Sequence, residues 1–388
     1  MARAISSCVH CGFCLPACPT YLVLGEEMDS PRGRILLMKQ ALEGTLAIAD
    51  ATPYVDRCLG CLACETACPS GVRYRELVVP FRARAEARTR SGVERLMRSA
   101  LLATLERPWR FRLAARVGKA VKALASSMPA TVGAMLALLP DSIPPSTSLP
   151  AVVPAVGTRR ARVALLAGCV QQVLRPSINA ATCRLLAANG VEVVIPREQG
   201  CCGALALHTG LEARAERLAA RNRRAFPRDV DAIVTNAAGC GSALKDDGAL
   251  PAPARDVAEF LDALGLQTPL ALARPATVAY QDACHLAHGQ GVRAAPRRLL
   301  RHVAGLTLAE LTDDLCCGSA GLYNLEHPDT AATLGRRKAD AIRATGASIV
   351  VSGNIGCLTQ LLSHLAGGDT PVAVQHTIEL LDSAYSAR

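Results

Sequence analysis

The chain has 388 residues, 50% hydrophobic, 3% aromatic and 20% charged, with 17 cysteines and a formal net charge of +10. That length and apolar content give material for two or three packed domains, and exclude a disordered chain or a small disulfide-stapled scaffold. An odd cysteine count, four Cys within the first 18 residues and no basic-then-apolar leader predict no signal peptide, a reducing (cytoplasmic) compartment and thiols that hold metal.

Two cysteine runs come first in the chain. Cys8, Cys11, Cys14 and Cys18 precede Pro19, and Cys58, Cys61, Cys64 and Cys68 precede Pro69. Thiolates at this spacing converge on one face of an iron–sulfur cube, and in two-cluster ferredoxins the fourth Cys of each run serves the other cluster. The expected sets are therefore Cys8, Cys11, Cys14 and Cys68 on one [4Fe-4S] cluster, and Cys58, Cys61, Cys64 and Cys18 on the second. Structural zinc closes with two pairs of ligands, which two runs of four do not match. His10 lies inside the first run, either hydrogen-bonded near the cluster or facing water. Between the runs, Ser30-Pro31 predicts a helix start and Gly44 its stop.

Between Arg82 and Lys122, twelve Lys or Arg stand against three Glu, a local +9 that leaves the rest of the chain near neutral. This predicts a local basic surface for an acidic subunit or an anionic membrane face, and no nucleic-acid partner. The uncharged stretch from Ala123 to Pro140 is too short and interrupted to span a membrane, so a buried or interfacial helix is expected. Ser142 to Thr158, with Pro144, Pro145, Pro150 and Pro154, reads as an extended linker.

After the linker the pattern becomes βαβαβ, twice. Strands are expected at 162–167, 191–195 and 232–235 with helices at 176–189 and 212–226, then strands at 277–281, 307–311 and 349–352 with helices at 293–303 and 330–345. The cysteines repeat in step: Cys169 is followed 32 residues later by Cys201-Cys202-Gly203 and then by Cys240, and Cys284 is followed 32 residues later by Cys316-Cys317-Gly318 and then by Cys357. Each repeat thus gathers four thiols beyond the carboxyl ends of parallel strands, where open sheets bind ligands. Gly168, Gly200, Gly203, Gly239, Gly318 and Gly356 flank them, as expected where backbone approaches a bulky inorganic group. A further iron–sulfur cluster, zinc, and redox-active or merely buried thiols all remain open for these eight. Cys183 reads as a small hydrophobe inside a helix. His285 and His288, just behind Cys284, are candidates for a quinone or proton site, and no catalytic acid–base set is visible. Gly289, Gly291 and Ala294 match a dinucleotide fingerprint only loosely, so neither flavin nor nicotinamide is expected on this chain.

The expected fold is α+β and multidomain: an all-α ferredoxin-like domain with two clusters (1–90), a basic helical segment and Pro-rich linker (91–158), and two repeated α/β Cys-Cys-Gly domains with parallel sheets (159–267 and 268–388). The run from Cys8 to Tyr21, the segment Asp29-Ser-Pro-Arg-Gly-Arg-Ile, and Cys58 to Tyr74 resemble the iron–sulfur subunits of bacterial glycolate oxidase, also called glycolate dehydrogenase. The Cys-Cys-Gly repeat extends the resemblance over nearly the whole chain. Heterodisulfide reductases, anaerobic glycerol-3-phosphate dehydrogenases and lactate-utilisation proteins include chains that share that repeat.

The resemblance implies a complex with two flavin-binding subunits, one of which oxidises glycolate to glyoxylate. Electrons would pass through this chain to a quinone or other membrane acceptor, with the complex peripheral on the cytoplasmic face of the inner membrane. A lactate, other 2-hydroxy-acid or glycerol-3-phosphate dehydrogenase subunit, or a heterodisulfide or quinone reductase acting at the repeats, are the alternatives. One departure matters. The fullest form of the repeat ends in Cys-x-x-Cys, whereas Cys240 is followed by Gly241-Ser242-Ala243 and Cys357 by Leu358-Thr359-Gln360, which argues against a noncubane cluster.

Overall fold

The computed structural model describes residues 1–128, 130–366 and 371–386. Its N-terminal part is helical. Helix Pro31–Glu43 begins where the sequence predicts, because Ser30 Oγ accepts a hydrogen bond from Gly33 N at 3.0 Å, and it ends at Gly44 in the left-handed conformation. Helices Ile48–Asp56 and Arg75–Thr89 pack on it around Met38, Ala51, Leu77 and Phe81. Both cysteine runs lie largely in the irregular turns these helices hold apart.

The basic stretch divides into two populations, and only one of them is left at the surface. Arg82 is buried and donates to Val55 O and Cys58 O. Arg90 pairs with Asp56 and Glu86, Arg98 with Glu86 and Glu326, and Arg112 donates to Pro144 O and Gln172 O. These cations meet buried carbonyls and carboxylates, so they bind the segment to the rest of the fold. Arg88, Arg95, Arg107, Arg110, Arg116 and Lys119 remain exposed. The uncharged stretch behind them forms a short 3₁₀ turn (Lys122–Ser127) and helix Ala130–Ala137, whose Ala134 and Met135 pack inward against Leu102 and Leu322. Pro129 lies outside the described residues.

The linker supplies a strand. β1 (Val152–Val153) runs antiparallel to β3 (Val191–Val194), in a five-stranded sheet that also holds β2 (Ala161–Leu166), β4 (Ala232–Thr235) and β5 (Ala254–Asp256) in the order β1-β3-β2-β4-β5. The remaining pairings in this sheet are parallel, so the expected parallel sheet gains one antiparallel edge. Two residues between Pro150 and Pro154 suffice to cover the open edge of β3. The second sheet is all-parallel, in the order β7-β6-β8-β9, with β6 (Leu270–Tyr280), β7 (Val303–Glu310), β8 (Ile349–Ser352) and β9 (Ala373–His376).

Leaving β1 aside, the two sheets share one topology, and in each the strand order reverses beside the first strand of the repeat. The repeats also share a core. Helix Thr377–Ser386 lies against helix Ser177–Ala188 of the first repeat, and Ile378 and Leu381 join Leu185, Val234 and Val278 in one cluster. Arg175 pairs with Glu379 at 2.8 Å and Arg184 with Asp382 at 2.5 Å across the same contact.

His376 closes this junction. It is buried, its Nε2 is 2.8 Å from Asn236 O, and its Nδ1 accepts from Ile378 N at 3.1 Å. Burial pushes its pKa down to about 4, against the opposing pull of Glu379. The unfolded chain therefore takes up a proton that the folded chain refuses once the pH falls below about 6.5, and stability drops as pH falls through that window toward 4. Unfolding free energies from denaturant titrations at pH 7 and pH 5 should differ by more in the native chain than in His376→Gln, the excess being on the order of 1–2 kcal/mol.

Candidate metal centres

The two N-terminal runs interleave in space. One cavity is lined by Cys8, Cys11, Cys14 and Cys68, and a second by Cys18, Cys58, Cys61 and Cys64, with Cys64 reaching both. Backbone N–H groups already point at two of these thiols, Gly60 N at Cys58 Sγ (3.3 Å) and Val72 N at Cys68 Sγ (3.5 Å), as sulfur ligands of a cluster require. Tyr74 touches both cavities, and its buried hydroxyl has no hydrogen-bond partner. An orphaned donor between two thiol-lined cavities fits a group that brings its own acceptor atoms, and inorganic sulfide is one. His10 is exposed and stands in the left-handed conformation, so of its two alternatives it takes the one facing water.

Arg34 is the electrostatic anchor of the second cavity. It is fully buried and donates to Tyr54 O (2.6 Å), Thr20 Oγ1 (3.0 Å) and Asp29 Oδ1 (3.1 Å), with Cys18 Sγ at 3.8 Å. Burial alone would weaken its hold on the proton, but Cys58, Tyr74, Cys18 and Asp29 more than offset this and keep it cationic. Arg57 shares the Asp29 carboxylate at 2.9 Å. A fixed positive charge beside four thiolates offsets part of the charge that an iron–sulfur group there would bury.

The repeat thiols meet in one place. Cys169 and Cys284 follow the first strand of each repeat and Cys240 and Cys357 follow the third, so all four stand where the strand order reverses. The Cys-Cys-Gly turns follow the second strand and complete the sets. Cys169 and Cys201 are 3.5 Å apart and Cys202 and Cys240 3.1 Å apart. All eight line a single chamber of about 340 Å³, which also takes in Cys61. Hydrogen bonds from neighbouring thiols, and then burial, hold the protons on Cys169, Cys316 and Cys357; Cys202, against the opposing hydrogen bond from Cys201, keeps its own through Cys240 and burial, and hydrogen bonds from Cys316 and Cys357 ease that of Cys317.

The glycine of each Cys-Cys-Gly turn has a reason other than the one its composition suggests. Gly203 and Gly318 have φ of +86° and +89°, and a Cβ on Gly318 would stand 2.7 Å from Ala331 O in helix Pro328–Arg343. Close packing of helix backbone against the turn requires them, whereas Gly239 has open space around it.

The two candidate histidines part company. His285 lines the chamber with both ring nitrogens buried, and burial pushes its pKa down to about 4 against the opposing pull of the Gly60 backbone. His288 lies outside the chamber and bonds Thr66 Oγ1 at 2.9 Å, tying the second repeat to the N-terminal part. In its place stands His208, whose ring meets that of His285 edge-on at 5.0 Å between centroids. Burial also holds His208 neutral. Its one sequence signal is its place six residues after Cys202, where the second repeat has Tyr323 six after Cys317. The dinucleotide-like loop is occupied by its own contacts: Gln290 donates to Ala238 O at 2.9 Å, and Gly289 O accepts from Arg75. Cys183 is buried in the core of the first repeat, and burial pushes its thiol up to about 11.

Two further contacts join the halves. Leu59 is buried against Cys284, Cys316 and Tyr323, carrying the Cys58–Cys61 turn into the second repeat. Arg75 pairs with Glu65, Asp246 and the Gly289 carbonyl, so it touches the N-terminal part and both repeats.

Residues 4–72 match the 4Fe-4S dicluster domain, a domain of two [4Fe-4S] clusters, and residues 163–245 and 278–362 each match the Cysteine-rich domain. Over 98% of its length the chain is 38% identical to the glycolate oxidase iron-sulfur subunit of Escherichia coli (strain K12), covering 94% of that protein. The chain belongs to the family of glycolate oxidase iron–sulfur subunits. A probable glycolate oxidase iron-sulfur subunit of Bacillus subtilis (strain 168) is 37% identical over 92% of this chain and 88% of its own. Beyond the family the likeness is partial: a fumarate reductase (CoM/CoB) component of Methanothermobacter marburgensis is 34% identical over 58% of this chain and 47% of its own.

In this family member, Arg34 and Cys183 should give opposite outcomes on substitution. Arg34→Met leaves the Asp29 carboxylate to Arg57 alone and removes the donor to Tyr54 O and Thr20 Oγ1, and should cost about 2 kcal/mol or more, with iron lost from anaerobically purified protein. Cys183→Ala should cost about 1 kcal/mol and leave the iron content unchanged.

Proposed function

We propose that this chain is the electron-transfer subunit of a glycolate-oxidising flavoprotein complex. It would receive electrons from flavin on one of two partner subunits and deliver them to a quinone held against the repeat thiols, with the complex peripheral on the cytoplasmic face of the inner membrane. The observation that carries this reading is the placement of Leu59 and Cys61, which puts the second N-terminal thiol set against the chamber of the repeat thiols. When bound, the clusters supply one-electron carriers, which let a two-electron donor hand its electrons over singly.

The chain's own residues divide the remaining work. Cys8, Cys11, Cys14 and Cys68 would hold the outer cluster, close to the surface, since Cys11, Val9 and Phe13 are exposed there for a flavin-bearing partner. Cys18, Cys58, Cys61 and Cys64 would hold the inner one, with Arg34 offsetting its charge and Leu59 excluding water. Cys169, Cys201, Cys202 and Cys240, and Cys284, Cys316, Cys317 and Cys357, would hold a further iron–sulfur group in each repeat.

A quinone accepts two electrons and two protons, so its site needs a donor near the carbonyl. His285 has both ring nitrogens buried beside the Gly60 backbone and is held neutral, and His208 stands against it. Leu101, Leu105, Phe111 and Leu138 line the same chamber and suit an apolar ring and tail. No hydroxy-acid site is needed on this chain, because the oxidation belongs to the flavin-binding partner.

The test is iron and electron flow in the reconstituted complex. Protein purified without oxygen should carry about eight irons or more, eight being two cubes; stoichiometric zinc without iron would refute the reading. His285→Phe should lower quinone reduction at least about tenfold while a soluble dye is still reduced at the native rate. Equal loss with both acceptors, or with neither, would remove His285 from the acceptor site.

A further inference from the structure

Most large apolar side chains of this fold are buried, but one pair of helices carries a solvent-facing stripe on each member. On helix Gly92–Leu105 it is Val93, Leu96 and Met97; on helix Pro108–Val121 it is Trp109, Leu113 and Val117. These six are between 58% and 70% exposed, and the spacing in each helix follows one face. The two helices pack against each other. Scattered exposed hydrophobics need no explanation, whereas six on one helix pair do.

The charged residues around the stripes are mostly cationic. Arg88, Arg95, Arg107, Arg110, Arg116 and Lys119 are exposed, and none enters an ion pair among the described residues. Glu94 is engaged in capping its own helix with Ser91. The Arg110 guanidinium lies 5.2 Å from the Trp109 ring centroid. Apolar stripes with an aromatic and a cationic surround are what a helix lying in the headgroup layer of an anionic bilayer presents. No helix among the described residues is long and apolar enough to cross a membrane, so contact through these helices would be interfacial.

The other sides of the same helices point inward. Leu101 and Leu105 of the first, and Phe111 and Ala115 of the second, line the thiol chamber. We propose that helices Gly92–Leu105 and Pro108–Val121 are a monotopic docking face for an anionic lipid bilayer, seating the apolar wall of the thiol chamber at the membrane surface. The face extends the membrane-acceptor reading, on which its purpose rests, but it binds lipid whether or not a quinone is present.

Trp109 is the only tryptophan in the chain, so the protein carries its own reporter. Full-length protein with its clusters is mixed with quinone-free vesicles, either pure phosphatidylcholine or containing phosphatidylglycerol, and floated on a density gradient. It should float with the anionic vesicles and far less with the neutral ones, and Trp109 emission should shift to the blue. Leu96→Gln/Leu113→Gln changes two exposed side chains; with unaltered cluster absorbance it should partition at least about tenfold more weakly.

Native protein that does not float and whose Trp109 emission stays at the water-exposed position overturns the proposal. So does a blue shift produced only by adding the flavin-binding subunits, with neither chain nor complex floating, because the face then belongs to a protein contact. Flotation on anionic vesicles, with no quinone reduction when quinone is then added to the reconstituted complex on them, sinks the acceptor reading and supports this one.

Discussion

The architecture depends on one contact: the Cys58–Cys61 turn seated in the second repeat through Leu59. A turn that carries thiols keeps a fixed place against a second thiol set only if it is packed, and exposed loops are not. Here an apolar side chain is buried among Cys284, Cys316 and Tyr323, with Arg82 donating to the Cys58 carbonyl behind it. Arg75 then pins the N-terminal part to both repeats. A buried leucine fixes position without adding charge, and the arginines satisfy backbone carbonyls that burial would otherwise leave bare.

The repeats solve a second problem, that of bringing eight thiols to one place from two separate stretches of chain. Reversal of the strand order beside the first strand of each sheet opens a crevice at the strands' carboxyl ends, and the thiols follow strands that end there. The shared core, with the last helix of the second repeat packed on the first, turns the two crevices toward one chamber. Two equal repeats facing each other make a site that neither could enclose alone.

Much of this was legible in the sequence because its determinants are local. Ligand spacing in the two N-terminal runs, the Ser30-Pro31 start and Gly44 stop, and the βαβαβ order all depend on neighbours a few residues apart, and the strand at 232–235 falls where a short apolar, β-branched run places it. The short strand β1 was not legible, since two valines between prolines form a strand only when β3 offers a free edge. Nor was the sorting of arginines. Arg98 and Arg110 look alike in the chain, yet one meets Glu86 and Glu326 and the other faces solvent.

The sequence by itself determined that thiols come in two runs of four and two matched sets of four, because cluster ligation and strand-end geometry write themselves into spacing. Only the tertiary structure decided that the matched sets share one chamber and that His208, not His288, accompanies His285 there. It also decided that part of the +10 charge is spent inside the fold while another part surrounds an exposed apolar helix face. The physical reason is the same in each case. Burial and pairing depend on which surfaces meet across long stretches of chain, and spacing along the sequence carries no record of that.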